Sequence, residues 1–145
     1  MKVKFKKLSD TAKVPKRADG DSAGYDLYSD VNGSMLIKAH SSEAVPTNIA
    51  VHIPEGFFGA IYARSGLAFR NGIRPVNCTG IVDSGFHDGI KVGLRNDSDE
   101  DFIVTQNMRI AQLILQKFEE IDFVEVEDLG ESERGLNGFG STGLD

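Results

Sequence analysis

A single cysteine, Cys78, stands among the 145 residues, so no disulfide can form within the chain. Such usage fits a reducing compartment. Tryptophan is absent, and no apolar run approaches the roughly 20 residues that a membrane-spanning helix needs. Basic residues are in the minority: 16 Lys and Arg against 22 Asp and Glu leave a net charge of −6. A general nucleic-acid surface needs a basic patch, which this balance disfavours. The opening Met-Lys-Val-Lys-Phe has no apolar stretch, so no secretory signal is read there and a cytoplasmic location is expected.

What is present points to one globular domain rich in β-structure. Hydrophobic residues make up 40% and charged residues 26%, ordinary globular usage, and the length suits a single core. Gly, Pro, Asn and Asp interrupt the chain about every ten residues, the spacing of many short strands in a sandwich or barrel. Strands are expected at residues 3–7, 25–29, 35–39, 57–63 and 90–95, with a loop over 9–22. Residues 44–53 read as one apolar, β-branched stretch stopped by Pro54-Glu55-Gly56. Ser65–Phe69 reads as one helical turn closed by Asn71-Gly72. Residues 109–118 fit two periods. Ile110, Leu113, Ile114 and Phe118 have helical spacing, while Ala111, Leu113 and Leu115 alternate as in a strand buried on both faces. The surroundings favour the strand.

Residues 130–145 change character, with five glycines in sixteen positions. Such a segment buries little and costs entropy to order, so a mobile tail is expected beyond a domain of residues 1–129. Gly138-Phe139-Gly140-Ser141-Thr142-Gly143 matches a dinucleotide-binding string, and residues 135–142 nearly match a P-loop. Both motifs need a following helix, and only Leu144 and Asp145 remain, so neither fold is read here. The local chemistry survives: glycine-rich backbone N–H groups and the Ser141 and Thr142 hydroxyls can cradle phosphate. Arg134 offers a planar fork for phosphate oxygens, and Phe139 a face for a base.

Two further clusters carry chemistry. Arg64-Ser65-Gly66 follows an apolar strand and resembles either a phosphate corner or an ordinary helix cap with a solvated arginine. In Asn77-Cys78-Thr79-Gly80-Ile81-Val82-Asp83-Ser84-Gly85-Phe86, Asn77 has the donor and acceptor that a uracil-type edge requires. Asp83 follows two β-branched residues that would shield it, as suits a general base aimed at a water, or it is simply a turn aspartate. The stretch from Asp19 to Gly24 lacks the ligands of a calcium loop, and His40, His52 and His87 lack zinc spacing.

In order, these pieces resemble the five motifs of the trimeric dUTP diphosphatases (dUTPases). The first resembles Ser22-Ala23-Gly24-Tyr25-Asp26-Leu27, and the second Ala63-Arg64-Ser65-Gly66-Leu67-Ala68. The third runs from Asn77 to Phe86, the fourth is Arg109-Ile110-Ala111-Gln112-Leu113, and the fifth spans 134–143. The resemblance implies an all-β, jelly-roll-like distorted barrel with one short helix, assembled as a homotrimer with three shared active sites. It implies hydrolysis of dUTP to dUMP and pyrophosphate by water attack on the α-phosphorus, with Mg²⁺ as cofactor, in the cytoplasm or, for a phage protein, in that of the host. Asp83 would activate the water. Asn77 and the backbone of Gly80, Ile81 and Val82 would read uracil, and Phe86 would pack beneath the deoxyribose. Lys91 would be a sugar or base contact. Arg64, Ser65 and Gly66 would hold phosphate oxygens, and Gln112 the α-phosphate region or the metal's waters. Asp26 would stand near the metal's water shell. Arg134 would meet the γ-phosphate, Phe139 would cover the uracil, and Gly140, Ser141 and Thr142 would wrap the phosphates.

The chain departs from the family pattern near the third motif. The family usually has tyrosine where Phe86 stands, often an acid where Gly85 stands, and often glycine where Asp88 stands. Two other readings stay open at this point. One is a dCTP deaminase-type relative, which would be expected to carry a glutamate where this stretch has only Asp83. The other is a dUTPase-like protein with a regulatory, partner-binding role.

Overall fold

The computed structural model describes residues 1–132 and 135. Along them run eleven strands and one short helix. The first strands are β1 (Lys4–Lys7), β2 (Tyr25–Tyr28), β3 (Ser34–Ile37), β4 (Ser42–Pro46), β5 (Ile49–His52) and β6 (Phe57–Tyr62). Helix α1 (Ser65–Asn71) precedes β7 (Ile73–Pro75), β8 (Gly80–Val82), β9 (Lys91–Asn96), β10 (Phe102–Thr105) and β11 (Arg109–Lys117). The strands form four antiparallel sheets, in the orders β1-β5, β10-β3, β4-β9-β7 and β2-β11-β6-β8. The jelly-roll-like, mostly β expectation is met, with the strands shared among sheets rather than bonded into one closed barrel.

One apolar core lies among the sheets, with Leu27, Ile37, Ile49, Ile73, Leu94 and Ile110 almost fully buried. Strand β11 resolves the ambiguity of residues 109–118. It is hydrogen-bonded to β2 on one edge and to β6 on the other, and its adjacent residues Ile110 and Ala111, which point to opposite faces, are both buried. Its alternation, not its helical spacing, describes it.

Residues 44–53 do not form one strand. β4 pairs with β9 and β5 pairs with β1, so the chain changes sheet at Thr47-Asn48. Asn48 takes a left-handed φ of 48°, and the buried Thr47 hydroxyl donates to the Ile90 carbonyl at 2.8 Å. Both residues satisfy groups that a straight strand would have left to its ladder. The short strands β7, β8 and β10 were not anticipated from the sequence; two of them have only three residues, too few to show a period. Helix α1 ends as expected, with Gly72 at a left-handed φ of 65°. Its N-cap is Arg64 rather than Ser65, and no side chain caps it.

Asp30, between β2 and β3, ties three other segments together. Its buried carboxylate accepts from Thr11 (2.7 Å), Asn48 (2.8 Å), Gln106 (2.6 Å) and the Ser9 hydroxyl. Burial pushes the group upward. The four donors outweigh that and hold it well below the usual carboxylate range. After β11, residues 118–132 leave the sheets without forming a strand and expose Ile121, Phe123 and Val124. Among the described residues no helix is long and apolar enough to cross a membrane.

Candidate active site

The largest sheet gathers four separated sequence clusters. In the order β2-β11-β6-β8, β2 brings Asp26 and β11 brings Arg109 and Gln112. β6 runs into Arg64-Ser65-Gly66, and β8 is Gly80–Val82, leading into Asp83. Gln112 stands opposite Asp26 on one side and Tyr62 on the other, so the end of β6 and the middle of β2 flank it.

Asp26 is the hub at this end of the sheet. Its side chain is 9% exposed, and its two oxygens accept from different arginines: Arg64 Nε at 2.8 Å and Arg109 Nη1 at 3.3 Å. The arginines are partly exposed, so the network presents unused guanidinium N–H groups at the surface beside Gln112. Two guanidiniums held by one buried carboxylate form a preorganised anion receptor, since their mutual repulsion is already offset. Arg109 received no role from the sequence. Its signal was the placement of an arginine one residue before the alternating apolar run.

Gln112 is fixed from two directions. Its Nε2 donates to the Ala63 carbonyl at 2.9 Å. Its Oε1 lies where a Cβ on Gly24 would sit, at 2.2 Å. A side chain at 24 would therefore displace the Gln112 amide. Ser65 and Gly66 are exposed at the start of α1, beside Arg64.

The third cluster sits on the far edge strand. Asn77 and Cys78 form the turn between β7 and β8, with Cys78 at a left-handed φ of 59°. Asn77 Nδ2 lies 3.4 Å from where a Cβ on Gly80 would be, in ordinary contact, and Ile61 Cβ is nearer at 3.3 Å. Asp83, Phe86 and Lys91 are exposed. The shielding of Asp83 by Ile81 and Val82 is not met within one chain, because Ile81 itself points outward and is 65% exposed. Gly80 pairs with Ile61 and Val82 with Gly59, which puts Asp83 about level with Phe58. Arg64 lies two residues past the end of β6 and six past Phe58, so it sits at the opposite end of that strand from Asp83, on the order of 20 Å away by strand rise. The fold brings Asp26, Arg64, Arg109 and Gln112 together and sets Asp83 and Phe86 apart from them. Arg134, Phe139, Gly140, Ser141 and Thr142 lie outside the described residues.

Comparison with known proteins bears on this arrangement. Residues 10–143 match the dUTPase family model. The chain is 40% identical, over 99% of both sequences, to the deoxyuridine 5'-triphosphate nucleotidohydrolase of Orientia tsutsugamushi (strain Boryong). It superposes with a TM-score of 0.89, at 27% identity and 99% of both chains, on the Staphylococcus bacteriophage 80alpha dUTPase with dUPNHPP. The dUTPase of S. aureus phage phi11, described with a structural Mg(II) ion, shares the fold at a TM-score of 0.80 and 21% identity, covering 89% of this chain and 99% of its own.

Proposed function

Because this chain belongs to the dUTPase family, we infer that its reaction is the hydrolysis of dUTP. It is a dUTP diphosphatase, releasing dUMP and pyrophosphate. The observation that carries this reading is the arginine pair on Asp26 beside Gln112, set on the sheet that also carries Gly80–Asp83.

The chemistry follows from charge. A triphosphate repels an anionic nucleophile, so the site must first neutralise it. Arg64 and Arg109 supply fixed positive charge, with Ser65 and the backbone at Gly66 as further donors. Asp83 is an exposed carboxylate that takes a proton from the attacking water, as a general base does. Asn77 and the backbone of Gly80, Ile81 and Val82 read the uracil edge, and Phe86 lies under the deoxyribose where a 2′-hydroxyl would clash. Cytosine leaves buried polar groups unpaired in such a pocket, which discriminates strongly. Lys91 remains a candidate sugar or base contact. Arg134, Phe139, Gly140, Ser141 and Thr142 belong to a tail, residues 130–145, that closes over the nucleotide.

Mg²⁺ fits the donor set. Among the described residues no three His, Cys, Asp or Glu side chains converge as a protein-built cage. That suits a hard ion carried by phosphate oxygens and water. When bound it neutralises phosphate charge. Gln112 and Asp26 would hold it only through water, Asp26 with what lone pairs its two arginines leave.

A homotrimer with shared sites accounts for the separation of Arg64 from Asp83, since a neighbouring chain can bring one to the other. Two surface features support assembly. Strand β1, carrying Lys4, Lys6 and Lys7, is bonded on one edge only and borders an apolar concavity of about 470 Å³ lined by Val3, Phe5, Tyr25 and Leu113. Residues 118–128 combine exposed Ile121, Phe123, Val124 and Val126 with six acids and no base. The decisive assay compares pyrophosphate release from dUTP, dCTP, dTTP and UTP with Mg²⁺ present. Selective release from dUTP supports the reading, and ammonia from dCTP would replace it with a deaminase.

A further inference from the structure

The fold brings together two histidines that lie 35 residues apart. His52 ends β5, and its Nδ1 lies 3.1 Å from Nε2 of His87. The rings are tilted by 42° with centroids 5.2 Å apart. A neutral imidazole carries one N–H and one lone pair, so one ring donates and the other accepts.

His87 belongs to the loop of residues 83–89 between β8 and β9, next to Phe86 and four residues from Asp83. That loop is sparingly attached. Phe86 N–H donates to the Asp83 carbonyl at 3.1 Å, and Gly89 N–H to the Asp88 carboxylate at 2.6 Å, both within the loop. Ladder bonding on one side ends at Val82. On the other side Ile90 N–H bonds the Ile49 carbonyl at 2.9 Å. Among the described residues, the His52–His87 bond is the one hydrogen bond between residues 83–89 and the rest of the chain. Gly89 also packs near Leu8, where a Cβ would fall 2.8 Å from Leu8 Cδ1, and His87 lines a concavity with Lys4, Phe5, Lys6 and Val51. His52 sits on a strand whose neighbours Ile49, Ala50 and Val51 are buried, so it is a firm anchor for a loosely held loop.

We propose that His52 is a positioning residue for dUTP hydrolysis, tethering through His87 the loop that carries Asp83 and Phe86. The proposal rests on the functional reading above. A loop in place only part of the time lowers apparent affinity by the fraction of time it is in place. The loss therefore falls on KM for dUTP more than on kcat.

The test uses the full chain and five variants. His52→Ala and His87→Ala are each expected to raise KM for dUTP about five- to tenfold with kcat within about twofold, and the double variant to be no worse than either single one. Asn places an amide atom where Nδ1 stood, and Gln where Nε2 stood, so His52→Asn and His87→Gln are expected to restore KM to within about twofold of wild type. Hydrogen exchange at residues 83–89 in the free protein is read alongside and is expected to quicken in the alanine variants alone. Unchanged KM and exchange in the alanine variants overturn the tether. So do additive effects of the two alanines, or a loss that the amide variants fail to rescue. A wild-type protein inactive on dUTP but with exchange that follows the histidine pair sinks the functional reading and keeps the tether.

Discussion

Asp26 sets the behaviour of its whole neighbourhood because both of its oxygens are engaged by cations. Replacing it by asparagine keeps the shape and removes the charge, leaving Arg64 and Arg109 to repel each other. The expected cost is about 1–3 kcal/mol of stability, scaled to a partly exposed network of charged hydrogen bonds, and urea unfolding measures it. Asp83 is the opposite case. It is exposed and makes no side-chain hydrogen bond among the described residues, so Asp83→Asn should leave urea unfolding unchanged. The same change should cut pyrophosphate release about 10²-fold or more, the usual worth of a general base. Equal activity of the two proteins would remove Asp83 from the mechanism. Asp30 gives a pH dependence. Its folded-state affinity for protons is depressed, so its contribution to stability is fully present above the unfolded carboxylate range, near pH 4, and is lost as pH falls below it. Acid titration of unfolding should show that loss in wild type, and Asp30→Ala, which strands four donors, should show less of it while costing about 2–4 kcal/mol at neutral pH.

Among the elements, β11 matters most, because it places Gln112 between β2 and β6. The glycine at the entrance of β2 is part of that placement. Gly24→Ala puts a methyl where the Gln112 amide lies, so the amide must leave its bond to the Ala63 carbonyl. A roughly tenfold loss of kcat/KM for dUTP is expected, with the far-UV spectrum unchanged. Full activity would mean that the amide's position is immaterial. The two ends of the chain contribute differently. The buried core runs from Ala12 to Ala111, with Leu113 and Leu115 packed against it, and residue 130 lies well beyond the last strand. Deleting 130–145 should therefore leave thermal unfolding intact while turnover collapses through loss of Arg134 and Phe139.

For the whole molecule, the spacing of Arg64 and Asp83 is the governing fact. If different chains supply them, two inactive proteins can repair each other. Co-expressed Arg64→Ala and Asp83→Asn chains should form mixed oligomers in which about a quarter of the sites have both groups intact. Recovered pyrophosphate release near that fraction, with light scattering reporting a trimer, supports shared sites. No recovery in proven mixed oligomers would place both groups in one chain.

Much was legible in the chain before any fold was known. Turn residues and alternating apolar positions announced short strands, because a strand's period and a turn's backbone demands are local properties. The five ordered motifs announced the chemistry, and Gly72 closes its helix where the local signal put it. Other features were out of reach because they depend on which distant strands become neighbours. Thr47-Asn48 turns one apolar stretch into two strands only since β9 and β1 claim its halves. The same holds for Arg109 on Asp26, for His87 on His52, and for an exposed Asp83 at the opposite end of β6 from Arg64. Pairing register joins residues tens of positions apart, and no local pattern carries it.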